Sequence, residues 1–272
     1  MKKINHLQNL HTHTTFCDGR DDPESMIVTA IEKGFGALGF SGHAYMYYSE
    51  YIEKNKTEGY QDAIYLLKEK YKGIIDVFCG LEFDIYSDVD KSGYEYLIGS
   101  VHYLKLGETF VGFDRDAGRV AEIIKEHFGG DGMKYAKAYY ETVAQLPEYG
   151  KFDIIGHFDL ITKHSDNVKF FDETSEEYKR LVLEAADALR GKIPIFEVNS
   201  GAVARGYRKT PYPTPDIIKE MRKMGFGVCI TSDCHNKDFL DISFEESREL
   251  LLSCGYKEKF ILTEQGFIPV EL

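Results

Sequence analysis

Tryptophan is absent from the 272 residues, proline occurs only 7 times, and no apolar run approaches the roughly 18 residues of a membrane-spanning helix. The missing apolar run excludes a membrane partner. The 5 cysteines (Cys17, Cys79, Cys229, Cys234 and Cys254) are odd in number and form no C-x-x-C pair. That excludes a disulfide framework and predicts reduced thiols in a cytoplasmic protein. Lys2 and Lys3 are followed by no apolar stretch, so no signal peptide is expected. Positive charge is also scarce: 33 basic residues face 45 acidic ones, a formal net charge of -12. With no basic stripe to offset that field, a phosphodiester backbone would be repelled, which excludes nucleic acid. Divalent cations are another matter, since three of them would halve the excess. No Pro/Ser/Gly-rich linker, repeat or low-complexity tract divides the chain.

What is present suits a globular enzyme. Hydrophobic residues make up 43% of the chain and charged residues 29%, with 19 Tyr and 18 Phe, enough for a full core. One α/β barrel typically runs to about 250 residues. Strands are predicted at 7–12, 37–41, 75–82, 96–101, 152–156, 193–198 and 226–231. Helices alternate with them near 23–34, 59–72, 117–128, 133–147, 174–190, 215–224 and 244–254. Asp22-Pro23 and Thr214-Pro215 each offer a cap followed by proline at the first helical position. Gly34, Gly73, Gly191, Gly225 and Gly255 sit where helices should stop. Seven strands separated by helices imply parallel pairing through right-handed crossovers. The expected fold is a distorted TIM-like (β/α)7 barrel, one α/β domain over residues 1–272.

Ligand-type residues fall at the ends of those strands. His11 and His13 close the first, and Asp18 follows in its loop; His43 lies just past the second. Glu82 ends the third, His102 the fourth and His157 the fifth. The sixth ends in Glu197-Val198-Asn199-Ser200, and Asp233 and His235 end the seventh. Parallel barrels gather such ends on one face. Residues two apart on a strand project to the same side, about 6.6 Å apart, so His11 and His13 reach toward a shared ion. Asp233 and His235 can do the same, or can serve neighbouring ions if the chain bends there. Six histidines with Asp18, Glu82 and Asp233 make nine ligands, where one zinc takes about four. That surplus predicts two to three divalent ions, and the nitrogen and oxygen donors suit Zn, Mn or Fe.

The segments "HTHTTFCDG", "GFSGHA", "GLEFD", "SVHYL", "GHFDL", "EVNSGA" and "SDCH" occur in the order expected for a PHP (polymerase and histidinol phosphatase) domain. The resemblance spans nearly the whole chain, and its length, "GSVHYL" and "GHFDLI" look most like the histidinol-phosphatase branch. It implies a trinuclear site in which one ion takes His11, His13, Glu82 and Asp233. A second would share Glu82 with His102 and His157, and a third would use Asp18, His43 and His235. It also implies phosphate-monoester hydrolysis by a metal-bridging hydroxide, with L-histidinol phosphate as substrate. In such a site Asp233, His43 and His235 are the catalytic candidates, and if the third metal is weakly held His43 or His235 is instead the proton donor to the leaving alkoxide.

Basic residues should hold the phosphate. Arg205 is the first candidate, in the loop after the sixth strand, with Arg208 nearby; Lys105 and Lys163 are others. Glu197 and Asp159 are the carboxylates considered for an amino-alcohol's ammonium, and the Tyr-rich segment 45–51 is a possible wall of the substrate mouth. His6, His127 and His164 are expected to be structural or surface residues, and Cys234 to point away from Asp233 and His235. Rival readings keep the barrel but change the substrate: a nucleotide, sugar or phosphotyrosine phosphatase, or a phosphodiesterase. An amidohydrolase-type C–N hydrolase fits the basic loop after the sixth strand less well, and a non-enzymatic metal-binding module leaves the open site unexplained.

Overall fold

The computed structural model describes residues 6–49 and 57–272. Seven parallel strands pair strictly in chain order: β1 (Gln8–Asn9), β2 (Ala37–Phe40), β3 (Asp76–Asp84), β4 (Tyr96–Ser100), β5 (Ile154–Ile155), β6 (Ile195–Asn199) and β7 (Gly227–Thr231). The ring nearly closes between its first and last members. Thr12 bridges Cys234 in parallel, the His13 amide donates to Cys234 O at 2.9 Å, and Asn9 Nδ2 reaches Ser232 Oγ at 2.6 Å. Helices α1 (Pro23–Glu32), α2 (Tyr60–Lys70), α3 (Ala117–Phe128), α4 (Gly132–Val143), α5 (Glu176–Leu189), α6 (Pro215–Lys223) and α7 (Phe244–Ser253) follow the strands. Their apolar sides join the sheet's outer face in one large core. The distorted (β/α)7 barrel expected from the sequence is the observed fold.

Strand alternation explains what fills the barrel. Its lower interior is Leu10, Ala37, Phe78, Tyr96, Ile98, Ile154, Ile195 and Cys229. Tyr96 donates its hydroxyl to Leu10 O at 2.6 Å. Gly80 makes room for its ring, since a Cβ there would lie 2.2 Å from Tyr96 Cζ. A C-terminal hairpin (Glu258–Thr263 with Gly266–Glu271) stoppers this end: Leu262 joins the interior cluster, and its amide and carbonyl both bond the Gln8 side chain. One end of the barrel is therefore mostly apolar, with Gln8 bonded to the hairpin, and the ligand-type side chains gather at the other.

Local differences have local causes. β1 stops at Asn9 because the Asn9 side chain captures the His11 amide at 3.1 Å. The helix expected over 133–147 ends at Val143, and Leu146–Tyr149 forms a separate turn with Pro147 at its start. Asp22 caps α1 as expected, whereas Thr214 makes no side-chain cap bond to α6. The five stop glycines all take positive φ, between 73° and 91°. A hairpin after β4 (Tyr103–Leu106 with Thr109–Gly112) and the C-terminal hairpin were not expected. All five cysteines are buried and free. Among the described residues, no helix is long and apolar enough to cross a membrane.

Candidate metal centre

The polar end of the barrel brings the nine predicted ligands together around Glu82. Its Oε2 lies 2.9 Å from His43 Nδ1, 3.4 Å from His11 Nε2 and 3.5 Å from His13 Nε2. Its Oε1 lies 3.0 Å from His157 Nε2 and 3.3 Å from His102 Nε2. Asp233 Oδ1 sits 3.1 Å from His13 Nε2 and 3.7 Å from His11 Nε2. Asp18, from the loop after β1, faces His235 Nε2 at 3.2 Å, His13 Nδ1 at 3.6 Å and His43 Nε2 at 3.7 Å.

The donor chemistry fits cations. His11 Nε2, His13 Nε2 and Glu82 Oε2 are buried and crowded against other donor atoms without well-directed hydrogen bonds, an arrangement that is costly unless something else satisfies them. Three sets of donor atoms each lie within 4.8 Å of one another: His13, Asp18, His43 and His235; His11, His13 and Asp233; and His43, Glu82 and His102. His13 and His43 each belong to two of these sets, so the geometry shares them more widely than the partition implied by the resemblance.

Electrostatics follow from this crowding. Burial opposes charge on His11, but Glu197, Glu82 and Asp233 raise its pKa well above 6.5. Burial likewise opposes charge on His43, while Glu82 and Asp18 lift it to about 9. His13 goes the other way, down to about 3, through burial and the neighbouring His235 and His43 rings. Burial would raise the carboxyl pKa values of Glu82 and Asp233, yet the surrounding imidazoles, and Arg205 for Asp233, hold both well below the usual range. The carboxylates stay ionised and ready to bind cations.

Neighbouring residues hold the predicted ligands in place. Glu197 is fully buried at the end of β6, where its carboxylate accepts from His11 Nδ1 (2.8 Å), the His157 amide (2.7 Å), Asn199 Nδ2 (2.8 Å) and Thr231 Oγ1 (2.8 Å). It therefore orients His11, and the idea that it meets a substrate ammonium is corrected. Asp159 is also sealed, accepting from the Thr214 amide at 3.0 Å. Asp84 anchors His102 by accepting its amide at 2.8 Å. Asp233 takes a left-handed φ of 48°, the bend that sends Asp233 and His235 to different donor sets. Gly201 must lack a side chain, because a Cβ would lie 2.7 Å from Asp233 Oδ2 and 2.9 Å from Arg205 Nη2. Cys17 Sγ touches His13 Nδ1 at 3.5 Å, while Cys234 packs into the outer core as expected.

A cavity of about 400 Å³ opens over the cluster, lined by Asp18, His43, His102, Asp233 and His235 together with Arg20, Asp114, Lys163, Arg205 and Tyr207. Arg205 Nη2 bonds Asp233 Oδ2 at 3.2 Å, and Lys163 Nζ pairs with Asp114 Oδ1 at 2.6 Å. Two of the basic candidates are thus on the wall. The other two are not. Arg208 is buried on Thr162 and over the Tyr212 ring, 4.8 Å from its centroid. Lys105 is an exposed residue of the hairpin after β4, beside Phe110. Sequence reasoning missed Asp114 and Arg20, which stand in no recognisable motif. From the Tyr-rich segment, Met46 and Ser49 line an adjoining cavity and Tyr48 stacks on Phe110; positions 50 and 51 lie outside the described residues. His164 is structural, bonded to Arg115 O at 2.6 Å.

The family model for the PHP domain matches residues 9–201, which leaves Asp233 and His235 beyond the matched span. A probable histidinol-phosphatase of Deinococcus radiodurans is 28% identical over 267 residues, covering 92% of this chain and 94% of that protein. The histidinol-phosphatase of Bacillus subtilis is 24% identical over 260 residues, covering 86% of this chain and 96% of that protein. The histidinol phosphate phosphatase of Lactococcus lactis, solved with zinc, L-histidinol and phosphate, superposes with a TM-score of 0.73 at 18% identity, covering 96% of this chain and 98% of that one.

Proposed function

Because the chain belongs to the PHP domain family, we propose that it is a metal-dependent phosphoric monoester hydrolase that converts L-histidinol phosphate to L-histidinol and phosphate in histidine biosynthesis. The names of the relatives, and the zinc, histidinol and phosphate in the Lactococcus lactis protein, support that substrate. The observation that carries the reading is the convergence of six histidines and three carboxylates on one barrel mouth beside Arg205 and Lys163. Five buried free thiols favour a reducing, cytoplasmic setting.

His11, His13, Asp18, His43, Glu82, His102, His157, Asp233 and His235 would hold two to three divalent ions, on the count of nine donors against about four per zinc. Such ions supply a nucleophile at neutral pH and offset the charge of the phosphoryl oxygens. The chain's own residues do the rest. Glu197 fixes the proton of His11 on Nδ1, leaving Nε2 as the donor atom that faces the cluster. Arg205 and Lys163 hold phosphoryl oxygens from the cavity wall. With only two ions bound, His235 or His43, both beside Asp18 and lining the cavity, would be free of metal and would pass a proton to the leaving alkoxide.

Phosphate release from L-histidinol phosphate, nucleotides, phosphotyrosine and p-nitrophenyl phosphate, with bound metal measured in parallel, tests this. A kcat/KM for histidinol phosphate far above the others is expected. Comparable turnover across the panel would remove the biosynthetic assignment, and full activity in metal-free protein would remove the metal-dependent one.

A further inference from the structure

A 2-amino-alcohol phosphate needs three receptors: cations and bases for its phosphate, a carboxylate for its ammonium, and a chamber for its side chain. The first is the cluster with Arg205 and Lys163. The third is a cavity of about 220 Å³ adjoining the first, where Met46, Tyr103 and Gly112 offer apolar and aromatic surface to a flat ring and Ser49 and Arg115 add polar groups. Asp18, His43, His102 and Asp114 line both cavities and so mark their junction. With ordinary bond lengths the substrate nitrogen lies roughly 5 Å from phosphorus, so its carboxylate must stand at that junction.

The candidates reduce quickly. Glu197 and Asp159 are sealed in the interior. Glu82, Asp233 and Asp18 face imidazoles within the ligand cluster. Asp114 remains. It follows the hairpin after β4, Lys163 engages its Oδ1, and 30% of its side chain is open to solvent. Lys163 also sits 4.6 Å from the Tyr207 ring centroid, which fixes it between this carboxylate and the Arg205 wall.

Resting on the histidinol phosphate reading, we propose that Asp114 is the specificity-determining residue of this site, receiving the substrate's ammonium at the junction while the ring enters the chamber of Met46 and Tyr103. The pairing with Lys163 then links the two recognition events, because Lys163 joins the ammonium-binding carboxylate to the phosphate.

The test uses the metal-loaded protein and two esters that differ only in the amine: L-histidinol phosphate and its deaminated analogue, 3-(imidazol-4-yl)propyl phosphate. Wild type should prefer the amine-bearing ester, and Asp114→Asn should reduce that kcat/KM ratio by roughly 10- to 100-fold, as expected for losing a charge-assisted hydrogen bond. Asp114→Glu should restore part of it. A ratio that stays within about twofold of wild type, including equal losses on both esters from a misplaced Lys163, overturns the inference alone. A wild-type enzyme with no preference for the amine instead overturns the histidinol phosphate reading, and the inference falls with it.

Discussion

Glu82 touches imidazoles that arrive from the ends of β1, β2, β4 and β5, so a single carboxylate ties four strand ends together. Replacing it with Gln keeps the volume but removes the charge from the donor set of His43, Glu82 and His102, a charge that also faces His11 and His13. Glu82→Gln should therefore lose most bound metal and activity while remaining folded, as checked by elemental analysis and circular dichroism. Glu197 acts one step further out. Glu197→Ala should weaken metal binding by roughly 10- to 100-fold through a misoriented His11; undiminished affinity in a competition titration with a chelator would show that His11 needs no such partner. Arg205→Ala should raise KM for phosphate esters by about 10-fold or more, the loss expected for a charged hydrogen bond, and an unchanged KM would exclude it from the phosphate pocket. At this scale the sequence was legible where spacing carried the signal, as in His11 and His13. It was opaque at Glu197 and Asp114, because their roles depend on what surrounds them: one is sealed under His11, and the other stands open at a junction between two cavities.

Alternation placed Glu82 on the inner face of β3 above Phe78 and Gly80, and helix-stop glycines placed the turns at 34, 73, 191, 225 and 255. Those patterns repeat along the chain and can be read without coordinates. The two hairpins follow no such period. The one after β4 earns its place by packing Phe110 on Tyr48, with ring centroids 4.1 Å apart, and the C-terminal one by stoppering the barrel with Leu262, contacts between residues far apart in sequence. Similarly, Gly80 looks like any strand glycine until Tyr96 is seen against it. Gly80→Ala should destabilise the protein by about 1–3 kcal/mol, because the ring can move only by giving up its bond to Leu10 O. Urea denaturation checks this, and a midpoint equal to wild type would mean that the barrel interior is looser than these contacts indicate.

Across the whole molecule, an acidic chain with a net charge of -12 concentrates carboxylates and imidazoles at one end of its barrel. In the metal-free protein this arrangement sets a pH optimum for stability. The His43 pKa is raised from 6.5 to about 9, so its stabilising charge is fully present below 6.5 and is lost as pH rises toward 9. The His13 pKa is lowered to about 3, so the unfolded chain gains a proton that the folded one refuses as pH falls below 6.5. The Tm of chelator-treated protein should therefore peak near pH 6.5, and bound metal, which requires neutral imidazoles, should abolish the alkaline decline. A metal-free Tm that is flat or rising between pH 6.5 and 9 would contradict this. The most direct test of the central claim is the metal content of the purified chain after incubation with zinc, manganese or iron and removal of free ions. The ligand count predicts two to three tightly held ions per chain, lost together with phosphatase activity on chelation. A chain that retains none, or that hydrolyses histidinol phosphate equally well without them, would contradict the account.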